Sequence, residues 1–195
     1  NEINRLVITS TILKRAGQGR LPLLPAALET VAAARKGQLE PPASDGPLVD
    51  MRQRIWQAKR LFHVVGVTFV QALGEKAKDQ MAVMAQQESL GWMSDIVMEI
   101  YAMESMMLRT QKVIDTKGEE KSALPVALMN YHADRASRNI PAAAENVITS
   151  TAEPTAAAAL LRVTAQLNPH RPLNLRDTGR QIARAVLDSN GELPV

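Results

Sequence analysis

Four carboxylates fall within a single predicted helix near the middle of the chain: Glu88, Asp95, Glu99 and Glu104. Carboxylates at helical spacing can bridge metal ions in a helical bundle, but such sites also take Glu-x-x-His motifs from facing helices. None of the three histidines follows a Glu at that spacing, because Arg60, Met129 and Leu167 stand three residues before them. The sequence therefore predicts no metal site.

A structural role for these acids is the favoured alternative. We expect Asp95 and Glu99 to form a solvated face, and Glu104 to be partly buried and paired with an arginine of another helix. Four residues further along the chain could meet Glu104 or Asp95 across the bundle: His132, Asp134, Arg135 and Arg138. An ion pair of this kind fixes helix register more than it adds stability.

Other patterns offer little catalytic chemistry. No nucleophile paired with a base is visible, and Gly17-Gln18-Gly19 is too short for a phosphate-binding loop. Methionine is concentrated on the same helix as the acids, at Met93, Met98, Met103, Met106 and Met107. These side chains either fill gaps in a core or, for Met98, Met103 and Met106, form a second packed surface such as a dimer contact.

Composition favours an all-α protein. The 195 residues are 46% hydrophobic but only 3% aromatic, and Ala, Leu and Met supply much of the apolar content. Cysteine is absent, which excludes disulfides and thiolate metal sites and fits a reducing compartment. The net charge of +3 comes from mixed charges, so binding to nucleic acid is not predicted.

Basic residues are locally concentrated near the beginning of the chain. Between Ile12 and Lys36 there are five basic residues and one acid. Together with the neighbouring leucines, Lys14, Arg15 and Arg20 could place an amphipathic helix on an anionic membrane. The alternative is a connector that packs against the rest of its own protein.

The first part of the chain reads as two helices and a linker. An opening helix is predicted to end near Ala16, before Gly17, Gly19 and Pro22. Pro25 is expected at the first position of a short helix over residues 26–36. The Pro- and Ser-containing segment from residue 38 to 47 predicts a linker and a domain boundary.

Beyond the linker the apolar pattern becomes long and regular. One helix is predicted from Leu48 to about Met84, with Gly66 and Gly74 allowing the close approach of a neighbour. Its apolar stripe has the spacing of a packed helix: Leu48, Met51, Ile55, Ala58, Phe62, Val65, Phe69 and Leu73. A second helix, over residues 88–116, carries its own predicted stripe: Leu90, Met93, Val97, Tyr101 and Leu108.

The remaining sequence predicts three further helices. Ser122 should cap the first of them, and Pro141 should break or kink it before a continuation to about residue 149. A segment over residues 154–166 and a last helix from residue 174 or 177 to 187 follow. The predicted fold is an up-and-down helical bundle of four to five helices, preceded by an N-terminal helix and a linker.

Two segments resemble the acyl-CoA dehydrogenases. The opening Asn1-Glu2-Ile3-Asn4-Arg5-Leu6 is similar to the second half of their Glu-Gly-Thr-Asn/Ser-Glu/Asp/Gln-Ile motif and the Arg-Leu of the helix that follows. The run from Asp95 to Ser105, with Gln87-Glu88 before it and Leu108-Arg109 after it, resembles the helical C-terminal extension of the very-long-chain type. Both occur in the order that the family has them.

The resemblance implies a C-terminal part of a bacterial, cytoplasmic, FAD-dependent enzyme of fatty-acid β-oxidation. The catalytic base of that motif would precede Asn1, so this part is expected to hold no catalytic residue and to retain no FAD. By position in the motif, Glu2 would contact the adenine end of FAD. The resemblance divides the chain into 1–16, the last helix of the catalytic α-domain, 17–47, a linker, and 48–195, the C-terminal bundle.

Partners also follow from the resemblance. It implies the rest of the dehydrogenase chain, a second copy in a homodimer, an electron-transfer flavoprotein, and a peripheral contact between the linker and the membrane. The competing hypothesis is a non-catalytic interaction module for dimerisation or for docking to a membrane or a partner.

Overall fold

The computed structural model describes residues 2–189, and within that range the chain folds into eight α-helices joined by turns and longer loops. The helices are α1 Glu2–Gly17, α2 Leu23–Arg35, α3 Val49–Leu73, α4 Gln80–Met84, α5 Gln87–Lys117, α6 Ala123–Thr151, α7 Pro154–Gln166 and α8 Leu175–Asp188. The predicted all-α bundle is confirmed. The predicted bounds of the second long helix, α5, and of α7 and α8 are within two residues of those observed.

Three long helices, α3, α5 and α6, build the centre of the bundle and contact one another. The stripe predicted on α3 is buried from Met51 to Phe69, and each of these two residues is 1% exposed. Apolar side chains of α5 and α6 complete this core, among them Leu90, Met93, Ile96, Ile140 and Ile148. Helices α7 and α8 pack on α6.

Helices α1 and α2 also pack on the bundle, α1 against α5 and α2 against α3. Residues 38–45, the middle of the predicted linker, contain neither helix nor strand. Arg52 Nη1 donates to the Asp45 carbonyl at 2.7 Å, which holds the end of the linker against α3. The first two helices are therefore part of the same packed structure as the bundle.

The first long helix is shorter than predicted. It ends at Leu73 because Gly74 adopts a φ of +54°, a left-handed conformation that glycine reaches at little cost. A 3-10 turn over Gly74–Lys78 follows, and α4 starts where the Asp79 carboxylate accepts a bond from Met81 N at 2.9 Å. The prediction of one helix to Met84 is wrong because Gly74 acts as a terminator.

Helix α6 does not break at Pro141. The helix runs from Ala123 to Thr151 without interruption. Ile140 and Ala144, on either side of the proline, are 1% and 0% exposed. Pro141 removes one N–H from the helix and leaves the Ser137 carbonyl without its usual donor. Burial of the surrounding turns outweighs this loss, so the continuation that was predicted occurs and the break does not.

Two predicted helix starts are corrected. Helix α2 begins at Leu23, two residues before Pro25, and this is possible because the first four N–H groups of a helix have no partner within it. Ser122 makes no side-chain cap for α6. Its hydroxyl instead donates back to the Glu119 carbonyl at 2.6 Å, within the 3-10 turn Glu120–Ser122.

The apolar stripe predicted on α5 is confirmed at Leu90 and Met93, which are both 0% exposed, and is wrong further along the helix. Tyr101 and Leu108 are 74% and 60% exposed, whereas Ile96 and Met103 are 0% and 1% exposed. From Ile96 onward the buried face lies one residue step, about 100°, around the helix from the predicted one. Both faces carry apolar residues at helical spacing, so the spacing could not choose between them.

Candidate functional site

The predicted cofactor residue Glu2 lies in the first turn of α1. Its side chain is 80% exposed, and one carboxylate oxygen accepts a hydrogen bond from Arg5 Nη1 at 2.8 Å. Arg5 in turn binds α5. The position of Glu2 is therefore set by a contact between α1 and α5, which we call the α1–α5 clasp and define by Arg5, Thr9, Gly91, Ser94 and Asp95.

The charged half of the clasp is a two-pronged pair between Arg5 and Asp95. Arg5 Nε donates to Asp95 Oδ1 at 2.9 Å, and Nη2 donates to Oδ2. The hydrogen bond to this carboxylate, above all, raises the pKa of Arg5 from its usual value. The guanidinium also packs on Gly91, where a Cβ would stand in ordinary contact, 3.4 Å from Arg5 Nη2.

The buried half of the clasp consists of two hydroxyl groups. Thr9 and Ser94 are both 0% exposed, and their hydroxyl oxygens lie 2.6 Å apart. Ser94 Oγ donates to the Arg5 carbonyl and accepts from Thr9 N at 3.2 Å. Because buried polar groups are costly without partners, this bonding fixes the relative position of the two helices.

The charged pair should couple measurably in a double-mutant cycle. We expect Arg5→Met and Asp95→Asn to show a coupling of about 1 kcal/mol in the free energy of unfolding, measured by urea denaturation, because the pair is bidentate and partly buried. The matched control is Lys78–Glu75, whose side chains are 78% and 89% exposed and should show no measurable coupling. Equal coupling in the two pairs would contradict the assignment.

The acids of α5 face three different helices. Asp95 faces α1, Glu99 accepts from Asn139 Nδ2 of α6 at 2.9 Å, and Glu104 pairs with Lys59 Nζ of α3 at 2.7 Å. The predicted solvated face of Asp95 and Glu99 is wrong, because α5 is packed on all these sides. The predicted arginine partner of Glu104 is wrong as well, since the partner is a lysine.

His132 is the one residue of the predicted α6 group that meets an acid of α5. Its Nε2 lies 3.3 Å from Glu99 Oε2, and the two side chains are 17% and 16% exposed. Burial lowers the pKa of His132, and the nearby Glu99 charge opposes that effect. Within residues 2–189, no three His, Asp or Glu side chains come together as a set that could hold a metal ion.

Sequence reasoning missed a buried carboxylate on α6. Asp134 is 0% exposed, with Arg138 Nη2 2.8 Å from one oxygen and His170 Nε2 3.4 Å from the other. His170 lies in the loop between α7 and α8. This loop also contacts α3, because Arg171 Nη2 donates to Gln57 Oε1 at 3.2 Å. The i, i+4 spacing of Asp134 and Arg138 was visible, but nothing in the sequence linked them to the loop after α7.

A second buried polar group joins α2 to α3. His63 Nδ1 and Arg60 Nη1 each lie 3.0 Å from Thr30 Oγ1, and that hydroxyl donates to the Ala26 carbonyl at 2.8 Å. Burial, together with the charge of Arg60, lowers the pKa of His63 to about 4. The imidazole is therefore neutral at neutral pH.

The low pKa of His63 predicts a loss of stability in mild acid. The unfolded chain takes up a proton near pH 6.5, whereas the folded chain does so only near pH 4. The free energy of unfolding should therefore fall as the pH drops from about 6.5 to about 4. His63→Gln should flatten this part of the profile in urea denaturation, and an unchanged profile would contradict the assignment.

The methionines divide between core and surface. Met93 and Met103 are 0% and 1% exposed, so Met103 belongs to the core and not to a second surface. Met98 is 39% exposed and lies at the rim of a groove between α5 and α6.

The basic segment lies on the outside of the molecule. Lys14, Arg15 and Arg20 are exposed. Leu21, Leu24 and Leu28 are 36%, 46% and 49% exposed. No helix within residues 2–189 has the length and apolar character needed to cross a membrane.

Comparisons with known proteins agree over nearly the whole chain. A family model for the acyl-CoA dehydrogenase C-terminal domain matches residues 57–165. A probable acyl-CoA dehydrogenase of Bacillus subtilis is 31% identical over 189 residues, which cover 97% of this chain and 31% of that protein. The crystal structure of a Bacillus anthracis acyl-CoA dehydrogenase in complex with FAD superposes with a TM-score of 0.87 at 31% identity. The match covers 100% of this chain and 31% of the Bacillus anthracis chain.

Proposed function

Because the chain belongs to the acyl-CoA dehydrogenase family, we propose that it forms the C-terminal part of a longer, FAD-dependent acyl-CoA dehydrogenase. The chain spans about a third, 31%, of the length of the relatives it matches. The observation that carries the proposal is the superposition over the whole chain on an enzyme crystallised with FAD.

The proposed reaction of the parent enzyme is the α,β-dehydrogenation of a fatty acyl-CoA in β-oxidation. A base would remove the α-proton, and bound FAD would supply the acceptor for the hydride from the β-carbon. Residues 1–16 would belong to the catalytic α-domain, 17–47 to a linker and 48–195 to the C-terminal bundle. This part alone would be inactive and would not retain FAD.

Glu2 is the proposed contact to the cofactor. A carboxylate oxygen can accept a hydrogen bond from the exocyclic amino group of adenine. The side chain fits this role because it is 80% exposed while Arg5 holds one of its oxygens at 2.8 Å. The α1–α5 clasp would then orient Glu2, so that the C-terminal bundle helps to position a residue of the cofactor site.

Flavin content tests the proposal. The full-length protein should purify with FAD, and the 195-residue chain alone should not. Glu2→Ala in the full-length protein should weaken FAD binding, whereas Glu40→Ala, an exposed glutamate of the linker, should not. A full-length protein without flavin, or a 195-residue chain that retains it, would contradict the proposal.

The proposed partners are a second copy of the enzyme and an electron-transfer flavoprotein, in the bacterial cytoplasm. A second candidate function is docking to an anionic membrane, and the exposed Leu21, Leu24 and Leu28 beside Lys14 and Arg20 favour it. Sedimentation with anionic liposomes tests docking. Equal binding after Lys14, Arg15 and Arg20 are changed to Ala would exclude this surface.

A further inference from the structure

An apolar cavity lies between α1, α2 and α3, near the C-terminal end of α1. Its volume is 140 Å³, and helix residues that line it include Leu13, Leu23, Phe62, Gly66 and Val70. An engineered apolar cavity of about 150 Å³ is large enough to bind benzene, a molecule of six carbons.

Gly66 keeps this space open. It lies in the middle of α3, where glycine is less favourable than alanine by up to about 1 kcal/mol. The expected reason, close approach of a neighbouring helix, is wrong, because a Cβ built on Gly66 would meet no heavy atom within 4 Å. Nothing among the described residues occupies the space that this glycine leaves.

The wall of the cavity is uncharged, while its surroundings are basic. His63, a polar lining residue, bonds to Thr30 Oγ1 and is neutral at neutral pH. Lys14 and Lys76 are exposed, and each is next in sequence to a lining residue, Leu13 and Ala77. The two acids near Ala77 in sequence both have partners: Glu75 is paired with Lys78 Nζ at 2.6 Å, and the Asp79 carboxylate accepts from Met81 N at 2.9 Å.

We propose that this cavity binds the alkyl end of an unesterified medium-chain fatty acid. About six carbons would fill this volume, which is partly open to solvent, and the carboxylate would remain outside near Lys14 and Lys76. Charge complementarity favours an anionic head group, and the volume favours one straight chain over the two long chains of a phospholipid.

Calorimetric titration of the 195-residue chain with sodium octanoate, below its micelle concentration, tests the proposal. Saturable binding of one octanoate per chain is expected, with an increase in melting temperature. Gly66→Leu should weaken binding at least tenfold because the new side chain fills the cavity. The matched control is Ala183→Leu on the exposed part of α8, which should bind as the native chain does.

Two further variants test the role of the charges and of the cavity separately. Lys14→Gln with Lys76→Gln should weaken octanoate binding several-fold and leave binding of the uncharged octanol unchanged. Val70→Phe fills the cavity from the next turn of α3 and replaces Gly66→Leu if that variant does not fold, as judged by circular dichroism. Absence of saturable binding, equal binding by the filled variants, or association only with phospholipid vesicles would overturn the proposal.

Discussion

Leu61→Ala is expected to lower the free energy of unfolding by about 3 kcal/mol. Leu61 is 0% exposed and lies in α3, which contacts both α5 and α6. The loss combines the apolar surface that is no longer buried with the void that three long helices cannot close. Urea denaturation followed by far-ultraviolet circular dichroism measures the change.

The matched control for this substitution is Leu187→Ala. Leu187 is 76% exposed on α8, so the same change of side chain should alter the free energy of unfolding by less than about 0.5 kcal/mol. A loss of similar size at the two positions would mean that α3 is not the centre of the core.

Pro141→Ala is expected to raise the free energy of unfolding by about 1–3 kcal/mol. Proline within a helix costs about 3 kcal/mol relative to alanine. The substitution restores an N–H that can donate to the Ser137 carbonyl, and the loss of contacts from the half-buried ring offsets part of the gain. Thermal and urea denaturation both report the change.

Pro154→Ala provides the comparison for Pro141. Pro154 is the first residue of α7, where proline interrupts no helical hydrogen bond. That substitution should be close to neutral. The prediction would be contradicted if Pro141→Ala destabilised the protein while Pro154→Ala did not. That result would mean that the packing of α6 depends on contacts made by the Pro141 ring.

Local patterns were enough to predict most helices. The stripe on α3 was found from spacing alone because one face of that helix is buried along nearly its whole length. The same reasoning failed beyond Met93 on α5, a helix that packs against α1, α3 and α6 and presents apolar residues on several sides. Gly74 was interpreted as a packing residue because a positive φ leaves no mark in the sequence other than glycine itself.

Long-range partners were beyond the sequence. Asp95 binds Arg5, ninety residues away, and Asp134 meets His170 in a loop whose path no periodicity reveals. The resemblance named Glu2 but said nothing of how it is held. The clasp joins the helix that carries Glu2 to the bundle, and this connection would give the C-terminal part a physical route to influence the proposed contact between Glu2 and FAD.

The most direct test of the central claim is the anaerobic reduction of FAD in the full-length protein that contains this chain. Addition of a saturated acyl-CoA should bleach the absorbance of the oxidised flavin, because FAD would take up the hydride from the β-carbon as the α-proton is removed. A series of chain lengths covers the unknown substrate range. A flavin that stays oxidised with every acyl-CoA in the series, in a protein that dithionite does reduce, would contradict the assignment.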